Sequence, residues 1–337
     1  MLKIDVHTHI LPEKLPDPRN APGGERFVRL DHHAPGRARM IVDGASFREI
    51  ERNSWDVGAR LSECDAAGVD VQVLSTVPVM FSYWAEPAVA LELSKSLNDH
   101  IAGVVAANPR RFAGLGTIPM QSPDLAIAEL ERCVRTLGLS GVQVGSNVNG
   151  ANLDSPELFP IFEAAASLSA AVFVHPWEMA GRERMTRYWL PWLVGMPAET
   201  SLAICSLIFG GVLERLPTLR IAFAHGGGAF PATLGRIVHG FDVRPDLCAV
   251  TNPVSPREYL KRITFDSLVH DPLTLRFLVD LVGAERIALG SDYPFPLGEE
   301  RPGALIDACG FPETMRARLL HGTALEWLDL PAGRFLG

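Results

Sequence analysis

A chain of 337 residues, 47% hydrophobic and 21% charged, has enough apolar material to bury a large core, which excludes a disordered protein. Its formal net charge of −8, with no run of Lys or Arg, leaves no basic face for nucleic acid or an anionic membrane, and neither partner is expected. One α/β barrel with insertions fits this length as readily as two smaller domains.

In chain order, residues 1–10 alternate apolar and polar and carry histidines, where a signal peptide would show a basic start and an apolar stretch. They predict a strand over 3–9. Residues 11–54 are rich in Pro, Gly, Arg and His without a sustained period, and are too long for a plain strand-to-helix loop. An insertion lying over the barrel mouth is expected there. Short runs rich in Val, Ile, Leu and Phe then recur at 69–76, 112–119, 141–145, 171–175, 220–225, 263–268 and 286–292. Amphipathic stretches follow them, for example at 124–137, 155–168, 198–216 and 272–282, with stop signals such as Leu137-Gly138 and Leu216-Pro217. About eight strand–helix pairs predict a single (β/α)8 TIM barrel with an insertion after the first strand. The rival, an open doubly wound sheet, usually binds ligands through a Gly-rich first turn, and none follows the first strand.

No span reaches about 18 uninterrupted apolar residues, so no membrane crossing is expected. The five cysteines, Cys64, Cys133, Cys205, Cys248 and Cys309, lack CxxC spacing and are odd in number. They read as reduced, mostly buried small residues of a cytoplasmic protein.

Four strand candidates end in residues that carry chemistry: His7 and His9 on the first, His175 on the fifth, His225 on the sixth and Asp292 on the eighth. In a barrel these ends converge on one face. His7 and His9 stand two apart, so both side chains point the same way. One histidine at a strand end is ordinarily a hydrogen-bonded core residue. The pair together with His175 and Asp292 reads as a metal site. Three imidazoles and a carboxylate suit Zn2+ best, with Mn2+, Fe2+ or Co2+ as replacements, and a bound divalent ion lowers the pKa of a coordinated water to about 7. His225 is assigned as the acid/base group that exchanges a proton with that water, because four side chains already fill the first shell. A fifth ligand or an orienting residue is the alternative.

The strand-end motifs HxH, HPW, AHGGG and GSDYP together resemble the amidohydrolase superfamily. The longer strings STVPVMFSYW at 75–84, WLPWLVGMPAET at 189–200 and SDYPFPLGE at 291–299 resemble its metal-dependent decarboxylase branch, and the resemblance runs from Lys3 almost to the C-terminus. It implies one zinc per subunit held by His7, His9, His175 and Asp292, with His225 as catalytic base. The implied reaction is a non-oxidative decarboxylation of a small dicarboxylate. The resemblance also implies that Arg48 and Arg236 bind the substrate carboxylates and that Trp192 lines the pocket. A guanidinium grips a carboxylate through two hydrogen bonds.

Arg236 lies eleven positions after His225, roughly 16 Å down a helix that runs away from the catalytic face. It is therefore expected to enter the site of a partner subunit in a homodimer. Position 42 is valine where some members of the family present lysine, so one basic contact at the mouth is missing. The rivals are a hydrolase of amides or lactones, a decarboxylase of an aromatic acid, and a non-catalytic binding barrel without metal. Many two-metal hydrolases of the superfamily carry a modified lysine at the end of strand four. Residues 141–146 offer none, which favours a single metal.

Overall fold

A computed structural model describes residues 1–16 and 23–335. Its strands, in chain order, are β1 (Ile4–His9), β2 (Arg29–Ala34), β3 (Arg37–Val42), β4 (Ala45–Glu51), β5 (Val71–Ser75), β6 (Phe112–Gly116), β7 (Gly141–Gly145), β8 (Asn147–Val148), β9 (Ala151–Asn152), β10 (Ala171–His175), β11 (Arg220–Phe223), β12 (Ile263–Asp266) and β13 (Ile287–Ala288). Eight of them form one parallel sheet in the order β1-β5-β6-β7-β10-β11-β12-β13. Backbone bonds from Val6 N to Leu289 O (2.8 Å), Asp292 N to His7 O (2.8 Å) and His9 N to Tyr293 O (2.7 Å) join the last strand to the first. The chain is thus a (β/α)8 barrel, as the alternating pattern predicts.

Alternation along each strand sorts side chains between two apolar layers. Val172 and Val174 of β10 join Ile221, Phe223, Phe265 and the helical residues Phe162, Leu207 and Leu278 in a large cluster between sheet and helices. Phe173 points the other way, into a smaller cluster with Val73, Leu115, Ala222 and Trp327. Its ring meets His7 at 5.0 Å and Trp327 at 5.9 Å, so the apolar plug supports the site from below.

Several boundaries differ from the sequence pattern for local reasons. The expected strand 220–225 ends at Phe223 because His225 adopts φ 57° and leaves the ladder. The run 286–292 keeps only Ile287–Ala288 as a strand, and Asp292 (φ 59°) lies in the loop beyond it. The expected helix 198–216 begins at Met196 and breaks at Gly210 and Gly211, giving Met196–Phe209 and Val212–Arg215. The helix expected over 155–168 starts at Phe159, and that over 124–137 continues past Glu131 as a wider turn, Arg132–Thr136. Pro272–Val282 is a helix as expected, capped by Asp271, whose carboxylate accepts from Thr274 N. The stretch Pro191–Phe209 is long and apolar enough to cross a membrane by length and composition, although Glu199, Thr200 and Ser201 interrupt its apolar run. Half of it is buried in the fold.

The segment 11–54 is more ordered than its composition indicates, although residues 17–22 lie outside those described. β2, β3 and β4 form an antiparallel sheet. Asp43 and Gly44, at φ 51° and 73°, make the tight two-residue turn between β3 and β4 that matches the twist of paired strands. Ala38 and Met40 are buried while Arg37 is exposed, a period-2 signal hidden in a charged stretch. All five cysteines are free, with Cys64, Cys133 and Cys309 buried.

Phe173→Ala removes a fully buried ring from the plug. It is expected to cost about 3 to 5 kcal/mol of unfolding free energy, read from denaturant titrations monitored by circular dichroism.

Candidate metal centre

Parallel pairing brings the ends of β1, β10, β11 and β13 to one mouth, and each end turns a side chain inward. Each of three histidines is locked by its Nδ1. His7 Nδ1 meets Asp266 Oδ2 at 2.7 Å, His9 Nδ1 meets the Thr76 carbonyl at 2.9 Å, and His175 Nδ1 meets the Pro176 carbonyl at 3.0 Å. With Nδ1 donating, Nε2 carries the lone pair. All three Nε2 atoms are buried and lack a directed hydrogen bond, and so does His225 Nδ1. They face Asp292, whose Oδ1 lies 3.0 Å from His9 Nε2 and 3.4 Å from His7 Nε2. Donors about 2.1 Å from a shared cation sit about 3.0 to 3.4 Å apart, so the residues present fit a divalent metal ion.

His7, His175, His225 and Asp292 offer ligand atoms within 4.8 Å of one another. His225 stands no farther off than the other rings, with centroids 5.1 Å from His7 and 5.0 Å from His175. His9 joins through Asp292 and through ring contacts of 5.1 Å with His7 and 5.3 Å with His175. All five residues singled out from the sequence therefore meet at one point. The four mutually closest include His225, so the expected division into four ligands and an outer base is not drawn by distance.

Electrostatics set the protonation states. Burial holds His175 well below the usual imidazole range, reinforced by His225, His7 and His9. Burial, then His7, takes His225 down to about 4. Burial would raise the Asp292 carboxyl, but its close approach to His9 and the fields of His7 and His9 outweigh it and hold it far below the ordinary carboxylate range. Neutral His175 and His225 beside an ionised Asp292 are electron-pair donors to a cation.

Asp266 is the residue that the sequence reading passes over. It ends β12 fully buried, and its four hydrogen bonds serve two strands. Oδ2 accepts from His7 Nδ1 and from His225 N (2.8 Å), and Oδ1 accepts from Gly226 N (2.7 Å) and Leu268 N (3.1 Å). Burial pushes its carboxyl up, yet the His7 bond and the charges of His7 and His225 leave it lowered and ionised. The available signal was an aspartate inside the strand candidate 263–268, which in the structure ends at Asp266 itself. Gly290 makes room for this contact, because a Cβ there would lie 2.7 Å from Asp266 Cβ and 2.9 Å from His7 Cβ. Asp5, pushed up to about 7 by burial, accepts from the Ser291 hydroxyl (2.5 Å) and from His7 N (3.2 Å), tying β1 to the loop of Asp292.

Above this floor opens a cavity of about 290 Å3 walled by Phe47, Trp177, Trp189, Trp192 and Phe295. Arg48 of β4 also lines it, its guanidinium 4.1 Å over the Phe295 ring, and no carboxylate among the described residues lies within ion-pair distance. Trp192 sits 6.2 Å from Phe47 and 5.8 Å from Trp189. Arg236 is not brought here: it lies on the exposed face of the helix Phe230–Val243 and does not line the cavity. Val42 packs partly buried against the cluster of Met40 and Ile50, away from the lining.

Residues 4–330 match a family model described as Amidohydrolase. The chain is 59% identical to 2-amino-3-carboxymuconate-6-semialdehyde decarboxylase of Dictyostelium discoideum, over 99% of this chain and 94% of that one. It is 39% identical to the protein of the same name from Caenorhabditis elegans, over 97% of this chain and 94% of that one. Among solved structures, 5-carboxyvanillate decarboxylase from Sphingomonas paucimobilis superposes with a TM-score of 0.77 at 29% identity, covering 83% of this chain and 85% of that one.

Asp266→Asn removes the charge that fixes His7. It is expected to weaken binding of a divalent ion about 10- to 100-fold, measured by competition with a chromophoric chelator.

Proposed function

We propose that this chain, which belongs to the amidohydrolase family, is a metal-dependent decarboxylase that converts 2-amino-3-carboxymuconate 6-semialdehyde to 2-aminomuconate 6-semialdehyde and CO2. The observation that carries this reading is 59% identity along 99% of the chain to a decarboxylase of that name. The step lies in tryptophan breakdown through kynurenine.

Loss of CO2 leaves an electron pair on carbon that a proton must take up, so no oxidant or organic cofactor is needed. Zinc, the ion best suited to three imidazoles and a carboxylate, would be held by His7, His9, His175 and Asp292 and would supply a Lewis acid at the cavity floor. His225, neutral because burial depresses its pKa to about 4, takes a proton from water as the hydroxide adds to the conjugated chain beside the departing carboxylate. It returns that proton to the carbon that loses CO2, and the electron pair left by CO2 expels the hydroxide, which takes up a proton from solvent. Arg48, half-buried and without a carboxylate partner among the described residues, grips a substrate carboxylate, and desolvation strengthens that pair. Trp192 and Phe47 flank the conjugated chain. The second carboxylate is met by Arg236 from the other subunit of a homodimer, since Arg236 lies exposed and outside its own cavity. Five free cysteines suit a reducing, cytoplasmic setting.

Fresh semialdehyde mixed with zinc-loaded protein is expected to lose its absorbance as one CO2 appears per molecule consumed. Gain of water without CO2 would mark a hydrolase, and turnover of 5-carboxyvanillate alone would move the substrate to an aromatic acid. His225→Asn is expected to lower kcat by about 10² to 10⁴ while the protein keeps its metal. Arg48→Ala is expected to lower kcat/KM by about 10- to 150-fold, the loss of a charged hydrogen-bonded contact. Arg236→Ala and His225→Asn proteins, each inactive alone, are expected to regain activity when mixed and allowed to exchange subunits. Absence of recovery would remove the shared site.

A further inference from the structure

Arg60, on the helix Val57–Ala67, is fully buried, and no carboxylate among the described residues lies within ion-pair distance of it. Burying a guanidinium without a counter-charge is costly, so such a residue is retained where its donors hold something that little else could hold. Both terminal nitrogens of Arg60 are directed, while Nε is buried without a partner among the described residues. One terminal nitrogen donates to the backbone carbonyl of His9 and to that of Asn53 (3.1 Å), and the other donates to Gln72 Oε1 (2.9 Å). Its plane also lies over the ring of Tyr293, 4.7 Å from the centroid. Tyr293 in turn donates its hydroxyl to Glu63 (2.7 Å) on the same helix as Arg60.

Two of the groups that Arg60 meets are the backbone of His9 and the ring of Tyr293, the residue next to Asp292. The side chains of His9 and Asp292 meet at 3.0 Å in the metal centre. His9 ends β1, and Asp292 lies in a loop beyond β13 with φ 59°, so no continuous strand fixes one against the other. The backbone bond from His9 N to Tyr293 O closes the barrel at this height, and Arg60 braces the same junction from outside.

We infer that Arg60 is a positioning residue for the metal centre, clamping the His9 carbonyl and the Tyr293 ring so that the His9 imidazole and the Asp292 carboxylate hold one separation. A fork of five donors spans acceptors on β1, β5 and the turn at Asn53 at once, which a lysine ammonium does not. The backbone bonds from His9 N to Tyr293 O and from Asp292 N to His7 O join this strand end to the left-handed loop, and Arg60 holds the same junction through the His9 carbonyl and the Tyr293 ring, which sets the side chains that those two bonds leave free. This inference rests on the metal reading of the five-residue site.

The test uses full-length protein reconstituted with Co2+, following both the visible ligand-field spectrum and the rate of metal loss to an excess of chelator. Arg60→Met and Tyr293→Leu are expected to shift the Co2+ bands and to speed metal loss at least about tenfold, with kcat falling while KM stays within about twofold. Arg60→Lys keeps the charge and some of the bonds, and is expected to fall between Arg60→Met and the unaltered protein. Should Arg60→Met fail to fold, Tyr293→Leu carries the test, because it removes the stacked ring and its bond to Glu63 while Arg60 keeps its own hydrogen bonds. Either variant, folded by circular dichroism but with the unaltered spectrum and rate of metal loss, overturns the role of Arg60 alone. Failure of the unaltered protein to take up Co2+ or Zn2+ overturns the metal reading, and this inference with it.

Discussion

A single buried carboxylate organises the mouth of this barrel. Asp266 fixes the ring of His7 through Nδ1, and with the same two oxygens it ties down the backbone of His225, Gly226 and Leu268. A carboxylate with no solvent exposure is tolerated only where its lone pairs are satisfied, and here four donors satisfy them. Its negative charge makes His7 a stronger electron-pair donor, and its position forces the sharp turn that lifts His225 off the end of β11. The other orienting bonds, from His9 to Thr76 and from His175 to Pro176, use neutral carbonyls and act on one ring each.

Around that floor the fold divides labour. The barrel supplies rigidity: strands buried on both faces, an apolar plug at Phe173 and a backbone seam from Val6 to Tyr293. The antiparallel sheet β2–β4 supplies part of the cavity wall, because Phe47 and Arg48 line it from β4 while Met40 and Ile50 anchor that sheet to Leu11, Val77 and Met80. Arg48 lies against Phe295 in aromatic surroundings that exclude water, where an arriving anion gains most from pairing with it.

What the sequence by itself determined is the part governed by local periodicity and residue chemistry. Alternating apolar runs and amphipathic stretches set the (β/α)8 architecture, and the spacing His7-x-His9 with His175, His225 and Asp292 at later strand ends marked the residues that meet at the mouth. Those signals are legible because a strand projects alternate side chains to one face and a closed parallel sheet gathers equivalent ends. The sheet of 29–51 was obscured by its charge, although Asp43-Gly44 between alternating residues was a readable hairpin signal.

Only the tertiary structure decided the rest, because it depends on which distant groups face one another. Asp266 and Arg60 look ordinary in the chain, one an acid at a strand end and the other a cation on a helix. Their importance arises from partners 259 residues away at His7, and at His9 and Tyr293. The strand boundaries at Phe223 and Ala288, and the positive φ of His225 and Asp292, likewise follow from the geometry of closure. Periodicity reports the direction in which a side chain leaves the backbone, whereas a hydrogen bond or a ligand set requires the position of its partner, and that position exists only once the barrel has closed.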